Sequence, residues 1–240
     1  TGIPLRAESD GRIPTQQYWK RVYGYEMLNG DICNMSIGQG DILISPLQMA
    51  QAMVPLANGG TVLQSRLVRQ VQALDNTIQV AYQVRAKSYL GMRPEYLDEI
   101  REGLESAVHG RNGTGGRAAP SGIRVAGKTG TAQWGPKNRQ RTAAWFCGFA
   151  PADAPDLAFA AVFEGDPNVK IGGGSHAAPM IGDVLKELYS DRGKKKEAPS
   201  QDVAPTAEDE ELVLRAEPAD EEEWTETRSE MGEGGLDVSN

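Results

Sequence analysis

Apolar residues recur along this chain with two periods, and the positions where the period changes divide it into elements. Leu47, Ala50, Met53, Val54 and Ala57 fall on one helical face, so the spacing predicts a helix over residues 45–58. Ser45 caps it, Pro46 suits its first position, and Gly59 and Gly60 stop it. Pro55 lacks an N–H and should kink it. Pro94 opens a second helix, on which Leu97, Ile100, Leu104 and Val108 repeat until Gly110. A third, over 175–189, carries Ile181, Val184, Leu185 and Leu188, and Pro179 confines its regular part to the later residues.

Strand-like runs alternate with these helices. Residues 61–71 and 77–84 are rich in β-branched side chains and are joined by Asp75-Asn76, which reads as a hairpin. Runs at 123–134, 142–150 and 157–163 have connections short enough for an antiparallel meander. Residues 1–44, punctuated by Gly24, Gly30, Gly38 and Gly40, read as loop with one short helix near 15–20. The glycine-rich stretch 110–116 reads as a flexible loop. The pattern is that of an α+β protein, an antiparallel sheet packed with helices.

Charge separates the chain into two parts. From Asp191 onward there are 16 Asp and Glu against 6 Lys and Arg, a net of −10, which leaves about +2 for residues 1–190 out of the total of −8. A segment with runs such as 208–211 and 221–223 and little periodic apolar content cannot offset its ordering entropy, so 191–240 is expected to be a disordered acidic tail. It is a solvated tail or, with Lys194, Lys195 and Lys196, an interaction arm. No stretch of about 18 apolar residues occurs, so an export signal or membrane anchor would have to lie upstream of Thr1.

The remaining candidate groups mostly have structural readings. Cys33 and Cys147 show no metal or redox spacing and read as two buried free thiols. His109 and His176 have no Cys or carboxylate at ligand spacing, so no metal site is expected, and His109 suits a helix end. Trp134, Trp145, Phe146 and Phe149 read as sheet packing. The basic loop 135–141 is a solvated hairpin tip, not a nucleic-acid patch. Residues 36–40, Ser-Ile-Gly-Gln-Gly, lack the spacing and lysine of a phosphate loop and read as structural, near a cleft at most.

One motif points to chemistry. In 125–133, Val-Ala-Gly-Lys-Thr-Gly-Thr-Ala-Gln, strand alternation puts Lys128 and Gly130 on one side and Thr129 and Thr131 on the other. A lysine ammonium with two hydroxyls suits a substrate carboxylate, and Gly130 allows close approach of a bound chain. A peptide could pair along such an edge, and the Thr131 N–H could face a developing oxyanion. The bland alternative for Lys128 is a solvent-exposed lysine before a turn.

Lys-Thr-Gly occurs in class A β-lactamases and penicillin-binding proteins, together with Ser-x-x-Lys and Ser-Asp-Asn. Here it is followed by Ala-Trp-Phe-Cys-Gly-Phe-Ala-Pro at 144–151 and Gly-Gly-Gly-Ser-His-Ala-Ala-Pro at 172–179. That order resembles the class B penicillin-binding proteins over roughly residues 1–190. Residues 11–20 and 30–50 look most like the elongation-type members. The departures are Cys33 in place of a polar residue, Pro55, and the acidic tail.

The resemblance implies the C-terminal part of a penicillin-binding transpeptidase, a fold shared with serine β-lactamases. It implies no cofactor, an extracytoplasmic place at the inner membrane, and as partners peptidoglycan stem peptides, β-lactam antibiotics, a membrane glycan polymerase and an elongation complex. The implied roles are charge orientation for Lys128, carboxylate binding for Thr129 and Thr131, clearance for Gly130, and half an oxyanion hole for the Thr131 N–H. No serine here has a lysine three positions on or an asparagine two positions on, so the nucleophile and the Ser-x-Asn element lie outside these 240 residues. A β-lactamase, a D,D-carboxypeptidase and a non-catalytic or β-lactam-sensing module are the alternatives.

Overall fold

The computed structural model describes residues 1–192 other than Pro4, Arg6 and Ala7, so the expected acidic tail and its lysine patch lie almost wholly outside the described residues. The centre is an antiparallel meander of β5 (Ala126–Trp134), β6 (Arg141–Ala150) and β7 (Leu157–Glu164), in the order β5-β6-β7. The three runs expected at 123–134, 142–150 and 157–163 are these strands. Register is unbroken from Ala126↔Phe149 to Trp134↔Arg141, without a bulge.

Both faces of this sheet are covered. Val125, Phe146 and Phe159 meet Ala178, Ile181 and Leu185 of helix α5 (Ala178–Arg192). Ala126 and Phe149 on the opposite face meet Leu56 and Ala57 of α3 (Pro46–Ala57) and Leu104 of α4 (Pro94–His109). Phe146 stacks on Phe159 at 5.7 Å, and Phe146, Phe149, Leu185 and Val125 are the largest fully buried side chains. Each such burial stabilises the fold by about 1.5–3 kcal/mol. Two-sided cover explains why β6 reads as a nearly continuous apolar run and not as an alternating one.

The helices form where their caps allow. Ser45 accepts from the Gln48 N–H, and Gln48 returns the bond to the Ser45 N–H, so α3 starts with a reciprocal box. Its regular helix runs through Pro55 to Ala57. Pro55 does not end the helix, because it lies in the last turn and removes only one bond near the terminus. In α4, Leu97, Leu104 and Val108 are buried, whereas Ile100, expected on the same stripe, is exposed. Pro179 is accommodated in the first turn of α5, after a wide π-helical turn at Gly173–Ala177, so the regular helix begins earlier than Pro179 alone suggested.

Three expectations are corrected. Residues 1–44 hold α1 (Gln16–Tyr23), capped by Thr15, where one short helix was expected, and also a second helix, α2 (Asn29–Ser36). No residue of α2 is buried, so it has no apolar stripe to betray it. The run 61–71 is two strands: β1 (Thr61–Leu63) pairs with β4 (Ala86–Tyr89), while β2 (Gln70–Gln72) pairs with β3 (Ile78–Ala81). The Asp75-Asn76 turn does join β2 to β3, with Asn76 at φ 67° and Asp75 accepting from the Thr77 N–H. Last, Cys33 is exposed, and only Cys147 is a buried thiol.

Among the described residues no helix is long and apolar enough to cross a membrane, and no cluster of His, Cys, Asp and Glu could hold a metal ion.

Candidate functional site

Strand β5 pairs only with β6 among the described residues, so its other edge is open. Lys128 stands opposite Cys147, Thr129 opposite Phe146, Gly130 opposite Trp145 and Thr131 opposite Ala144. Thr129 therefore shares the face of Phe146 that meets α5, and Lys128 and Gly130 share the opposite face with Ala126 and Phe149. The side chain of Lys128 is exposed, and its Nζ folds onto the strand edge, donating to the Thr129 carbonyl oxygen at 2.7 Å.

Two side chains from distant segments reach the same few residues; the segment of Gln39 was expected near a cleft at most, and Thr114 had been given no role. Gln39 Nε2 donates to the Thr131 carbonyl oxygen at 2.9 Å. Thr114 Oγ1 lies 2.7 Å from Thr129 Oγ1. In an antiparallel strand the N–H and C=O of one residue point to the same edge, and the neighbours at ±2 follow. Since Gln39 comes from outside the sheet, Thr129 and Thr131 present their main-chain groups to the open edge. A donor-rich edge beside an ammonium and two hydroxyls can hold a carboxylate and stabilise an oxyanion.

Glycines let the surrounding backbone close on this strand. A Cβ on Gly173 would lie 2.3 Å from the Trp145 oxygen, 2.7 Å from the Gly130 oxygen and 2.9 Å from the Gly130 nitrogen. One on Gly174 would lie 2.1 Å from the Thr114 oxygen, and one on Gly127 would lie 2.5 Å from Phe146. The stretch 110–116 is likewise shaped by packing and not only by flexibility. Gly115 donates to the Ala107 oxygen at 2.8 Å and would strike Phe146 with a Cβ. Those contacts are what fix Thr114 beside Thr129.

The loop carrying Gln39 is also built. Gly38 and Gly40 have φ of 77° and 81°, and Asp41 accepts from Tyr23 at 2.7 Å and from Tyr18 at 3.1 Å. That bond to Asp41 pushes the Tyr23 hydroxyl up to about 12. Behind the site, burial pushes the Cys147 thiol up, and the Lys128 charge opposes this in part.

The other candidates sit as structural groups. His109, at the end of α4, accepts from the Val125 N–H at 3.0 Å. His176 Nδ1 lies 2.8 Å from Ser175 Oγ, with its ring 5.2 Å from Phe163. Phe146 and Phe149 are core, whereas Trp134 is 46% exposed with Arg141 over its ring, so the sheet-packing reading fails for that residue. Its place at the end of β5, beyond the helix cover, accounts for this.

The helix-covered antiparallel meander is an α+β architecture of the penicillin-binding transpeptidase kind. Residues 1–186 match the model of the penicillin binding protein transpeptidase domain, and the chain belongs to that family. It is 30% identical over 207 residues to the peptidoglycan D,D-transpeptidase MrdA of Haemophilus influenzae, covering 80% of this chain and 31% of that protein. Pseudomonas aeruginosa PBP2, solved with WCK 5153, superposes with a TM-score of 0.58 at 27% identity, over 85% of this chain and 42% of the other. The ceftriaxone acyl-enzyme of penicillin-binding protein A from M. tuberculosis gives 0.56 at 28% identity, over 65% of this chain and 35% of the other. The chain thus spans about a third of the length of the curated relative it matches.

Proposed function

We propose that these residues form the substrate-binding wall of a serine D,D-transpeptidase that cross-links peptidoglycan, with the nucleophile supplied from outside the 240 residues. The observation that carries this reading is the open edge of β5, where Lys128, Thr129 and Thr131 stand together in a chain of the transpeptidase family. A serine hydroxyl adds to the penultimate D-Ala carbonyl of a stem peptide, and the negative charge that develops on the carbonyl oxygen faces the Thr131 N–H. The peptide bond breaks, the leaving D-Ala nitrogen takes the proton, and an amine of a neighbouring stem then displaces the serine. Lys128 orients the terminal carboxylate by charge, the hydroxyls of Thr129 and Thr131 bind it, and Gly130 leaves room for the peptide. Thr114 holds the Thr129 hydroxyl in place.

The same wall receives β-lactams, as the acyl-enzyme of the M. tuberculosis relative supports. The setting is the extracytoplasmic face of the inner membrane, anchored by another segment, alongside a membrane glycan polymerase and an elongation complex. Residues 1–190 are the transpeptidase portion and 191–240 an appended tail.

Labelling with a fluorescent penicillin tests the assignment. The full-length protein should be acylated and the isolated 240-residue chain should not. Labelling of the isolated chain would overturn the external nucleophile, and an unlabelled full-length protein would overturn the transpeptidase reading.

A further inference from the structure

The β2–β3 hairpin contributes no residue to either core cluster of the fold. Its two strands pair only with each other among the described residues, so both outer edges are open. Val71 stands opposite Val80, and the Tyr82 N–H donates to the Arg69 oxygen at 3.0 Å, which carries the pairing one step further. Strand alternation then puts Ile78, Val80 and Tyr82 on one face, with Val71 and Arg69 across from them on the same face. These four apolar side chains are 44–54% exposed, and Leu74 at the turn is fully exposed. A two-stranded hairpin is at best marginally stable in water, and an apolar cluster exposed on one marks a contact surface.

The hairpin is also basic. Between Gln64 and Ser88 stand Arg66, Arg69, Arg85 and Lys87 against the single acid Asp75, a net of +3, and all four cations are exposed. The chain from Asp191 onward has the opposite sign, a net of −10. Within it, residues 208–217, Glu-Asp-Glu-Glu-Leu-Val-Leu-Arg-Ala-Glu, carry five acids and one arginine, a net of −4. They surround Leu212-Val213-Leu214, the one run of three branched apolar residues from Asp191 onward. We infer that the hairpin is the docking surface for residues 208–217 of this chain, with Leu212, Val213 and Leu214 against the Val71–Val80 face and the flanking carboxylates beside the four cations. Apolar contact supplies the hold, and opposite charge selects the occupant. Helix α5 ends at Arg192, and residues 193–207 reach about 50 Å when extended, against a radius of gyration of roughly 16 Å for a domain of this size. Attachment to the same chain gives the segment a high effective concentration, so its own tail has the advantage over a separate acidic partner. The inference stands apart from the transpeptidase reading above.

The experiment follows hydrogen exchange by mass spectrometry in three proteins: the full-length protein, a variant ending at Arg192, and a full-length variant carrying Leu212→Ser, Val213→Ser and Leu214→Ser. Exchange over residues 64–85 should be at least about tenfold slower in the intact protein than in either variant. Raising the salt to about 1 M, where screening acts within about 3 Å, should reduce that protection several-fold. A synthetic peptide of residues 205–219 added to the truncated protein should restore protection over the same residues, and the peptide with the three serines should not. Arg69→Glu with Lys87→Glu should weaken protection, and Glu210→Lys with Glu211→Lys in the same chain should recover part of it. If the truncated protein fails to fold, the serine variant, which keeps both length and charge, decides the matter.

Protection confined to the hairpin, independent of protein concentration and lost in both variants, is the expected result. Equal exchange over residues 64–85 in the intact protein and the variants would overturn the inference, whether the hairpin is open in all of them or covered in all by some other segment. Protection that rises with protein concentration would assign the face to a second copy and overturn it as well. So would protection that survives the three serines, which would leave charge attraction without the apolar contact, and so would peptide-induced protection that falls elsewhere in the fold.

Discussion

Adding one methyl group at Gly173 should damage stability and acylation together, and the structure sets the size of both effects. The new Cβ would stand 2.3 Å from the Trp145 oxygen, 2.7 Å from the Gly130 oxygen and 2.9 Å from the Gly130 nitrogen, where ordinary contact begins near 3.4 Å. About 1 Å of movement is therefore needed, and every atom in the way is main chain of the paired strands β5 and β6. If the turn at Gly173–Ala177 moves instead, its contacts with Thr114 and Thr129 are disturbed.

Overpacking of this kind destabilises by about 1–3 kcal/mol, and the upper part of the range applies because no flexible side chain can yield. In a domain of this size that lowers melting by about 2–4 °C for each kcal/mol. A displacement of about 1 Å at Gly130 also misplaces its neighbours Thr129 and Thr131, for which roughly a hundredfold loss of acylation rate is expected. Melting and the penicillin acylation rate of full-length Gly173→Ala, each against wild type, measure the two effects. A variant that melts and acylates like wild type would refute the close packing of this turn on the K-T-G-T strand.

Further substitutions probe single parts of the same design. Gly103→Ala, inside α4 with open space around its Cβ position, should raise stability by about 1 kcal/mol, read from a denaturation curve. Ser45→Ala removes the reciprocal cap of α3 and should lower stability by about 1 kcal/mol in the same assay. Thr114→Val keeps the shape but frees the Thr129 hydroxyl, so β-lactam acylation should weaken with melting nearly unchanged; an unaltered acylation rate would count against a role for that pair. Under native conditions a maleimide should label Cys33 and spare Cys147. Because burial raises the Cys147 thiol, the unfolded thiol ionises first as pH rises, so stability should decline above the ordinary thiol range, and Cys147→Ala should lessen that decline.

The meander was legible in the sequence because its middle strand β6 is buried along most of its length and the three strands are joined by short connections. Phe146, Phe149 and Val125 carry enough apolar weight to mark it. Helices α3 and α4 were legible from Ser45-Pro46 and Pro94, where cap chemistry coincides with an apolar stripe. Helix α2 was not, since a helix without a buried side leaves no period of 3.6 in the residues. Strand β4, and the pairing of β1 with it, escaped for a related reason. The two strands are joined across the β2–β3 hairpin, and a pairing between segments that far apart is not encoded in either segment alone.

The site divides along the same line. Lys128, Thr129, Gly130 and Thr131 are contiguous, and a contiguous motif on a strand can be read from spacing. Gln39, Thr114 and Gly173 reach that strand from three other segments, each as a single residue in a glycine-containing turn. The only local sign of such contacts is the glycines themselves, because left-handed backbone at Gly38 and Gly40 and close approach at Gly115 and Gly173 both demand them. Glycine clusters that read as slack in the sequence are, in this fold, the points where separate segments close upon one strand edge. The site should therefore be more sensitive to an added methyl at Gly173 or Gly115 than to one at Gly24, where the space is open and only the backbone conformation is strained.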